Sequence, residues 1–449
     1  MDNYLFNEFQ EVTPQAWKTK IQVDLKGADY NDTLLWKTNE GITVKPFYSK
    51  EDRHHQNISL PKTEFNICQS IIVKDEKEAN SIAIDSLKRG ANSIEFIVYE
   101  DFNFKTLLTN INFKNTIVYL KFKFLASKLI SDISKFANSE NCYFNVDIIG
   151  NIASTGNWYK NKNDDFKEIE SIIKNTRNSI CVNTSIYQNS GATIIQQLAY
   201  TLAHANEYLN YLGKEVANKI HFNFSTGSNY FFEIAKTRAF RILWDSLLKE
   251  YDIEKTTTHI FSQPSLRNKT LYDYNVNMLR TTSECMSAVL GGVNTITNFS
   301  YDKLFHKPNE FGERISRNQL LILKEECELI KAQNIADGAY YIESLTNQLA
   351  QQALDIFKQI ENGGGFLNQL KEGVIQRKII ESSQKEQEQF DNGSLVLLGT
   401  NKIQNEKDKM KEEIEITPFM KKRNEKTLIQ PIIQKRLAEK LEQARLENE

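Results

Sequence analysis

The stretch IHFNFSTGSNYFFEIAKTRAFRILWDSLL, Ile220 to Leu248, changes its hydrophobic period partway along. At its start Phe222 and Phe224 alternate with His221, Asn223 and Ser225, the pattern of a strand with one apolar and one polar face. From Tyr230 the apolar residues Phe231, Ile234, Ala235, Ala239, Ile242, Leu243 and Leu247 recur at three- and four-residue steps, which predicts an amphipathic helix over Tyr230 to Leu248. The segment reads as one strand followed by one helix.

The same unit repeats on both sides of it. Strand-like runs are FNICQSIIV (Phe65 to Val73), SIEFIV (from Ser93), TIVYLKF (from Thr116), YFNVDII (from Tyr143), SICVNTSIY (from Ser179), THIFSQ (from Thr258) and NTITNFS (from Asn294). Helix-length segments such as Ala192 to Leu212 fill the gaps. Eight such units within roughly 250 residues fit an α/β fold closed as an eight-stranded parallel β/α barrel of the TIM type. An open doubly wound sheet is the competing architecture for the same alternation.

On this reading residues 49–331 form the barrel. Residues 1–48 hold no complete unit, yet carry Trp17, Ile21, Val23, Leu25, Leu34, Leu35 and Trp36. They form an N-terminal arm too short for a core of its own, whose apolar side chains need cover from a partner or from the chain's own barrel. Residues 332–449 read as a C-terminal helical extension, broken at Gly363 to Gly365 and mixed in charge over Asn405 to Glu415. It is expected to end in a helix that places Ile433, Leu437, Leu441 and Ala444 on one face.

Composition excludes several function classes. Lys plus Arg (56) nearly balances Asp plus Glu (58) over 449 residues, so the net charge of -2 offers no long-range attraction to nucleic acid or an anionic membrane. No run approaches the roughly 20 apolar residues of a membrane span, and the start MDNYLFNEFQ lacks a basic region followed by an apolar one. A cytoplasmic location is expected. Cys68, Cys142, Cys181, Cys285 and Cys327 are scattered, which suits buried or idle thiols rather than a disulfide frame or zinc site. Phosphate-loop, dinucleotide, zinc-protease and serine-hydrolase motifs are absent. The six histidines lie apart, apart from the linker pair His54 and His55, and no metal site is expected.

The strands carry one further signal. The helix layer of a barrel must be apolar, so the polar phase of each strand faces the lumen. That phase holds Asn145 and Asp147 in the fourth run, Asn183 and Ser185 in the fifth, and His221, Asn223 and Ser225 in the sixth. Ordinary barrels fill this space with branched apolar side chains. A polar lumen either admits an extended polar ligand, or its groups satisfy one another and ordered water.

Seven blocks, in order along almost the whole chain, resemble the methylmalonyl-CoA mutase family. They are EGITVKPFYSKED (Glu40 to Asp52), SGATIIQQLAYTLAHANEYL (Ser190 to Leu209), FSTGSNYFFEIAKTRAFRILW (Phe224 to Trp244), YDYNVNMLRTTSECMSAVLGG (Tyr272 to Gly292), RISRNQ (Arg314 to Gln319), GAYYIESLTNQLA (Gly338 to Ala350) and DNGSLVLLGTNK (Asp391 to Lys402). The resemblance implies a barrel whose lumen takes a threaded acyl-CoA. It also implies adenosylcobalamin radical chemistry that turns methylmalonyl-CoA into succinyl-CoA.

The chain departs from the catalytic members' pattern. Tyr187 of YQNSGA stands where they are expected to carry a histidine, and Phe299 and Lys303 stand at the adenosyl-side positions. HHQNISLPKTEFNICQS replaces their substrate segment, and SQPSLRNKTLYD replaces a run after the seventh strand. The cobalt-ligand signature D-x-H-x-x-G has only a near match, Asp52-Arg53-His54 followed by Asn57, and fewer than about 50 residues follow LLGTNK, too few for a cobalamin-binding domain. DLKGADYNDTLLWKTNEGI (Asp24 to Ile42) looks like the arm of the family's small subunit. The resemblance therefore implies a chain without catalytic, cofactor or metal residues of its own. Its partner would be a catalytic large subunit in a heterodimer, which binds the adenosylcobalamin and through which acyl-CoA substrate is reached. The alternative is an acyl-CoA mutase barrel that catalyses with a separately encoded cobalamin-binding subunit.

Overall fold

The computed structural model describes residues 8–53, 56–61, 63–254, 258–331, 334–420 and 425–449. His54 and His55 lie outside them. Eight strands form one parallel sheet: β1 Asn66–Ile72, β2 Ser93–Val98, β3 Ile117–Phe122, β4 Cys142–Asn145, β5 Ile180–Asn183, β6 Ile220–Thr226, β7 Ile260–Pro264 and β8 Thr295–Thr297. They run in the order β4-β3-β2-β1-β8-β7-β6-β5. The seam between β4 and β5 is bridged by Phe144 N–H to the Asn178 carbonyl at 2.8 Å and Cys181 N–H to the Val146 carbonyl at 3.0 Å. The sheet is a β/α barrel of the TIM type, not an open doubly wound sheet.

The opening stretch behaves as its periods dictate. Phe222 and Phe224 leave β6 toward the helix Tyr230–Glu250, where both meet the Phe240 ring at 4.5 and 4.9 Å, and Phe222 also meets Trp244 at 5.1 Å. Each such ring removed from water stabilises the fold by roughly 1.5–3 kcal/mol. Phe231 is the exception on that helix face, 47% exposed.

The fourth and fifth runs are shorter than their sequence suggests. β4 ends at Asn145 because Asp147 caps the helix α2, Ile148–Thr155, accepting Gly150 N–H at 2.7 Å. β5 ends at Asn183, and Ser185 opens the short helix α3, Ser185–Asn189. Asp147 and Ser185 thus sit beyond the strands, where alternation no longer decides which way a side chain points.

The N-terminal interval has two halves. The helix α1, Pro14–Asp24, buries none of its residues, and Val12, Trp17 and Val23 are 68%, 54% and 67% exposed. From Trp36 the chain lies on its own barrel. Trp36 meets the Phe232 ring at 5.8 Å, Asn39 and Gln389 exchange two hydrogen bonds at 2.7 and 2.9 Å, and Ile42 is buried. Arg53 pairs with Glu343 at 2.8 Å.

After Ala336 the chain forms the helices Tyr340–Asn362, Phe366–Lys371 and Val374–Asp391, with Gly363 to Gly365 as the break. The final helix starts only at Glu439, so neither Ile433 nor Leu437 shares a helical face with Leu441 and Ala444; Ile433 lies 52% exposed in a segment without regular secondary structure. Pro431 removes an amide donor there and disfavours helical geometry in the residue before it. The segment is strapped across the C-terminal end of the barrel by Leu428 N–H to Gly156, Ile432 N–H to Ala153, Lys435 N–H to Asn189 and Leu437 N–H to Arg267 carbonyls, at 2.7–3.0 Å. Among the described residues, no helix is long and apolar enough to cross a membrane.

Candidate functional site in the barrel lumen

The N-terminal half of the lumen is closed by rings. β3 and β7 stand on opposite sides of the eight-stranded ring, and side chains from each meet across it. Tyr119 of β3 packs on Phe261 of β7 at 4.9 Å, and its hydroxyl bonds His259 Nε2 at 2.7 Å and Thr295 Oγ1 at 2.7 Å. Tyr143 of β4 stacks against His259 at 4.3 Å and places its hydroxyl 3.2 Å from Nδ1, so both ring nitrogens of His259 are engaged. His221 of β6 lies beside Tyr143 at 5.2 Å and bonds Asn145 Oδ1 at 2.7 Å through Nε2.

Burial dominates the charge states of this floor. It pushes the Tyr143 hydroxyl up to about 12, Tyr119 well above its ordinary value, His221 down to about 3 and His259 well below its ordinary value. The floor is a neutral network with its hydrogen bonds turned inward. Tyr119, Tyr143, His259 and Thr295 satisfy one another there, while His221 bonds Asn145 through Nε2 and leaves Nδ1 without a partner.

Above the floor a cavity of about 830 Å³ opens at the C-terminal mouth. Lys121, Lys123, Asn145, Asn183 and Asn223 line it from the strand ends, α2 and Tyr159 form one wall, and Thr427 and Pro431 to Gln434 of the strap form the roof. Lys121 pairs with Glu95 at 3.6 Å, and Glu95 in turn accepts Ser70 Oγ at 2.8 Å. Among the described residues no carboxylate lies within ion-pair distance of Lys123, an exposed side chain that lines the cavity. Desolvation, with Lys121 adding repulsion, lowers its pKa to about 8.

The residues singled out from the sequence are distributed unevenly. Asn145, Asp147, Asn183 and Asn223 reach the mouth cavity, whereas His221 belongs to the floor. Ser185 donates to Asn183 Oδ1, and Ser225 is fully buried, its carbonyl accepting the Lys236 ammonium at 2.7 Å. Asp147 spends its carboxylate on a network of its own. It accepts His204 Nε2 at 2.9 Å, the Tyr208 hydroxyl at 2.9 Å, and Asn183 N–H at 3.0 Å. Although desolvation opposes it, the sum of these contacts, His204 foremost, holds the Asp147 pKa below its ordinary value.

Tyr187 points away from the lumen. Its side chain is wholly buried and its hydroxyl lies 2.9 Å from His204 Nδ1, on the helix α4, Ile194–Leu212. The neighbouring Ile186, not Tyr187, lines the mouth. Phe299 is buried with the Lys303 ammonium 4.5 Å above its ring, and neither lines the cavity. Tyr119, His259, Lys121 and Lys123 were missed from the sequence, though Tyr119 and Lys121 share one phase of TIVYLKF and could have been found by the alternation used elsewhere.

A family model described as Methylmalonyl-CoA mutase matches residues 81–448. Over 445 residues the chain is 34% identical to the "Methylmalonyl-CoA mutase small subunit" of Porphyromonas gingivalis, an alignment that covers 89% of this chain and 71% of that one. It is 36% identical to a methylmalonyl-CoA mutase of Rhizobium meliloti over 51% of this chain and 34% of the relative. Against the mitochondrial methylmalonyl-CoA mutase of Bos taurus it is 28% identical over 90% of this chain and 62% of the relative.

Proposed function

This chain belongs to the methylmalonyl-CoA mutase family, and from that premise we propose that it is the small, non-catalytic subunit of a heteromeric mutase. The complex interconverts methylmalonyl-CoA and succinyl-CoA, and a catalytic large subunit of a cytoplasmic heterodimer holds the adenosylcobalamin and the acyl-CoA. The observation that carries this reading is the ring floor. A threaded thioester needs an open lumen, and Tyr119, Tyr143, His259 and Phe261 fill it with groups bonded to one another. The same floor opposes a barrel that catalyses with a separately encoded cobalamin-binding subunit.

Among the described residues the histidines do not fit a cobalt ligand either. His204 and His259 each have both ring nitrogens engaged, His221 is buried, and His306 bonds Asp302 at 3.1 Å. No step is therefore assigned to cobalamin on this chain. The docking role belongs to the interval 1–48, in which the exposed Val12 and Val23, and Trp17 beside Phe47, supply the apolar anchors. Residues 49–331 serve as the barrel and 332–449 as the extension.

The test is reconstitution. The purified chain incubated with adenosylcobalamin should show no corrin absorbance after desalting, and no succinyl-CoA should form when any cobalamin-binding protein other than the large subunit is supplied. Turnover that depends on this chain's barrel, with a separate cobalamin-binding protein alone, would overturn the non-catalytic assignment.

A further inference from the structure

The strap across the mouth is held unevenly along its length. At its C-terminal end Arg436 is buried, donates to the Pro418 carbonyl at 3.2 Å and the Lys269 carbonyl at 3.0 Å, and pairs with Glu442 at 2.7 Å. Met420 N–H donates to Glu439 Oε1 at 3.0 Å, so the chain before the strap and the chain after it are pinned side by side. The Lys435 carbonyl accepts the Arg267 guanidinium at 2.8 Å beside this anchor, and residues 436–439 are all buried.

Residues 425–435 differ. Ile432 is the one buried side chain among them, while Leu428 and Ile433 face water. What holds them is mostly main chain. Leu428 and Ile429 N–H donate to the Gly156 carbonyl and Ile432 N–H to the Ala153 carbonyl, groups at the C-terminal end of α2 that water could satisfy equally well. Asn157 adds two side-chain bonds of 3.1 Å, donating to the Lys426 carbonyl and accepting Leu428 N–H, and Gln376 donates to the Gln430 carbonyl at 2.8 Å. The seat is nonetheless specific. Gly156 has a φ of 81°, and a Cβ there would lie 2.6 Å from the Ile429 carbonyl oxygen.

We propose that residues 425–433 are a lid on the C-terminal mouth, which swings about the anchor at Arg436 and opens the cavity beneath it while the barrel stays folded. A permanent roof would bury apolar side chains along its length. This one rests on a single buried side chain and on hydrogen bonds that exchange with water, so its release costs little beside unfolding the barrel. Compact loops whose ends lie together move as units. Thr427 and Pro431 to Gln434 roof the cavity of about 830 Å³, and the C-terminal end is where β/α barrels place their working sites. Access to that end is therefore conditional on the lid. The device is independent of whether the chain is catalytic.

Cys181 reports on it, being buried yet part of the cavity lining, whereas Cys142, at the start of β4, and Cys285, on the helix Val276–Leu290, are buried away from it. The experiment is N-ethylmaleimide modification of the full chain carrying Cys327→Ser, which removes the exposed thiol, read by peptide mass spectrometry. Cys181 should react faster than Cys142 and Cys285 by roughly tenfold or more, because it needs only local opening. Ile432→Ala strips the buried side chain from the lid, and Asn157→Ala removes two bonds from a position outside the core. Each should raise the Cys181 rate by roughly tenfold relative to the two control thiols. Modification of all three at one rate, or variants that accelerate all three together, would show that the mouth opens only when the barrel unfolds and would overturn the proposal. Immediate reaction of Cys181, unchanged in both variants, would equally overturn it, since the mouth would then stand open without the lid moving.

Discussion

Glu40 tests how the arm is tied to the barrel. Its carboxylate accepts Ile195 N–H at 3.3 Å at the start of α4, in a crevice shared with Glu233, Arg267 and Glu386. Burial raises its pKa from 4.5 to about 7, with Glu233 adding repulsion, while the Ile194 and Ile195 amides and Lys236 pull it back. The folded chain therefore keeps a proton that the unfolded chain releases near 4.5. Between pH 4.5 and about 7 the native state binds more protons, so this group's contribution to stability is complete below 4.5 and is lost as pH rises through about 7. The gap corresponds to about 3 kcal/mol at most. Because Glu40 keeps some exposure in its crevice, water screens part of that, and about 1–2 kcal/mol is expected. Glu40→Gln keeps an acceptor for the amides and removes the charge. It should be near neutral at about pH 5 and stabilising by about 1–2 kcal/mol at about pH 8.5, measured by urea unfolding. With about 2 cal/mol/K of unfolding entropy per residue, the melting temperature at the higher pH rises by roughly 1–2 °C. A variant that loses more stability at pH 8.5 than at pH 5 would refute the reasoning, since it would show that the ionised carboxylate stabilises the native arm.

Tyr187→Phe removes the hydroxyl beside His204 and should cost about 1–3 kcal/mol in chemical denaturation, with no change in the turnover of the reconstituted mutase. Lys269→Met strands Glu284, 2.8 Å away and wholly buried, and should destabilise by about 3–5 kcal/mol; Lys269→Met combined with Glu284→Leu should recover most of that loss in the same unfolding assay. Acid should destabilise through His221, whose folded pKa of about 3 lies below the unfolded 6.5: its contribution is present above 6.5 and is lost as pH falls toward 3, by up to about 5 kcal/mol. His221→Gln should flatten that acid limb in a pH series of melting temperatures. Deleting residues 1–35 should leave the melting temperature of the isolated chain nearly unchanged while abolishing co-purification with the large subunit; a collapsed melting temperature with pairing intact would place the docking surface elsewhere.

The sequence carried the barrel because hydrophobic period is a local signal that the fold preserves. β6 and the helix after it are legible from Phe222, Phe224 and the apolar steps of Tyr230 to Leu248, and the structure extends that helix only to Glu250. Alternation fails where a side chain competes for backbone. Asp147 reads as a lumen residue of a long fourth strand, but its carboxylate caps α2 and ends the strand early. The expected C-terminal helix fails for the opposite reason. Ile433 and Leu437 have helical spacing, but Pro431 and the strap's bonds to Gly156, Ala153 and Asn189 hold the segment out of helical form. Tyr187 shows a third limit, because a residue's place in a motif does not fix its rotamer, and here His204 on α4 draws the side chain into the helix layer.

These misplacements share a physical origin. Asp147, His204, Tyr187 and Tyr208 form one network, and Tyr119, Tyr143, His259 and Thr295 form another; both arise from residues distant in sequence that meet only after the barrel closes. Each turns polar groups that could face a ligand toward one another, which rigidifies the scaffold at the expense of the lumen. The Asn223 carboxamide, His221 Nδ1 and Ser225 Oγ, between the two networks, are buried atoms that neither absorbs.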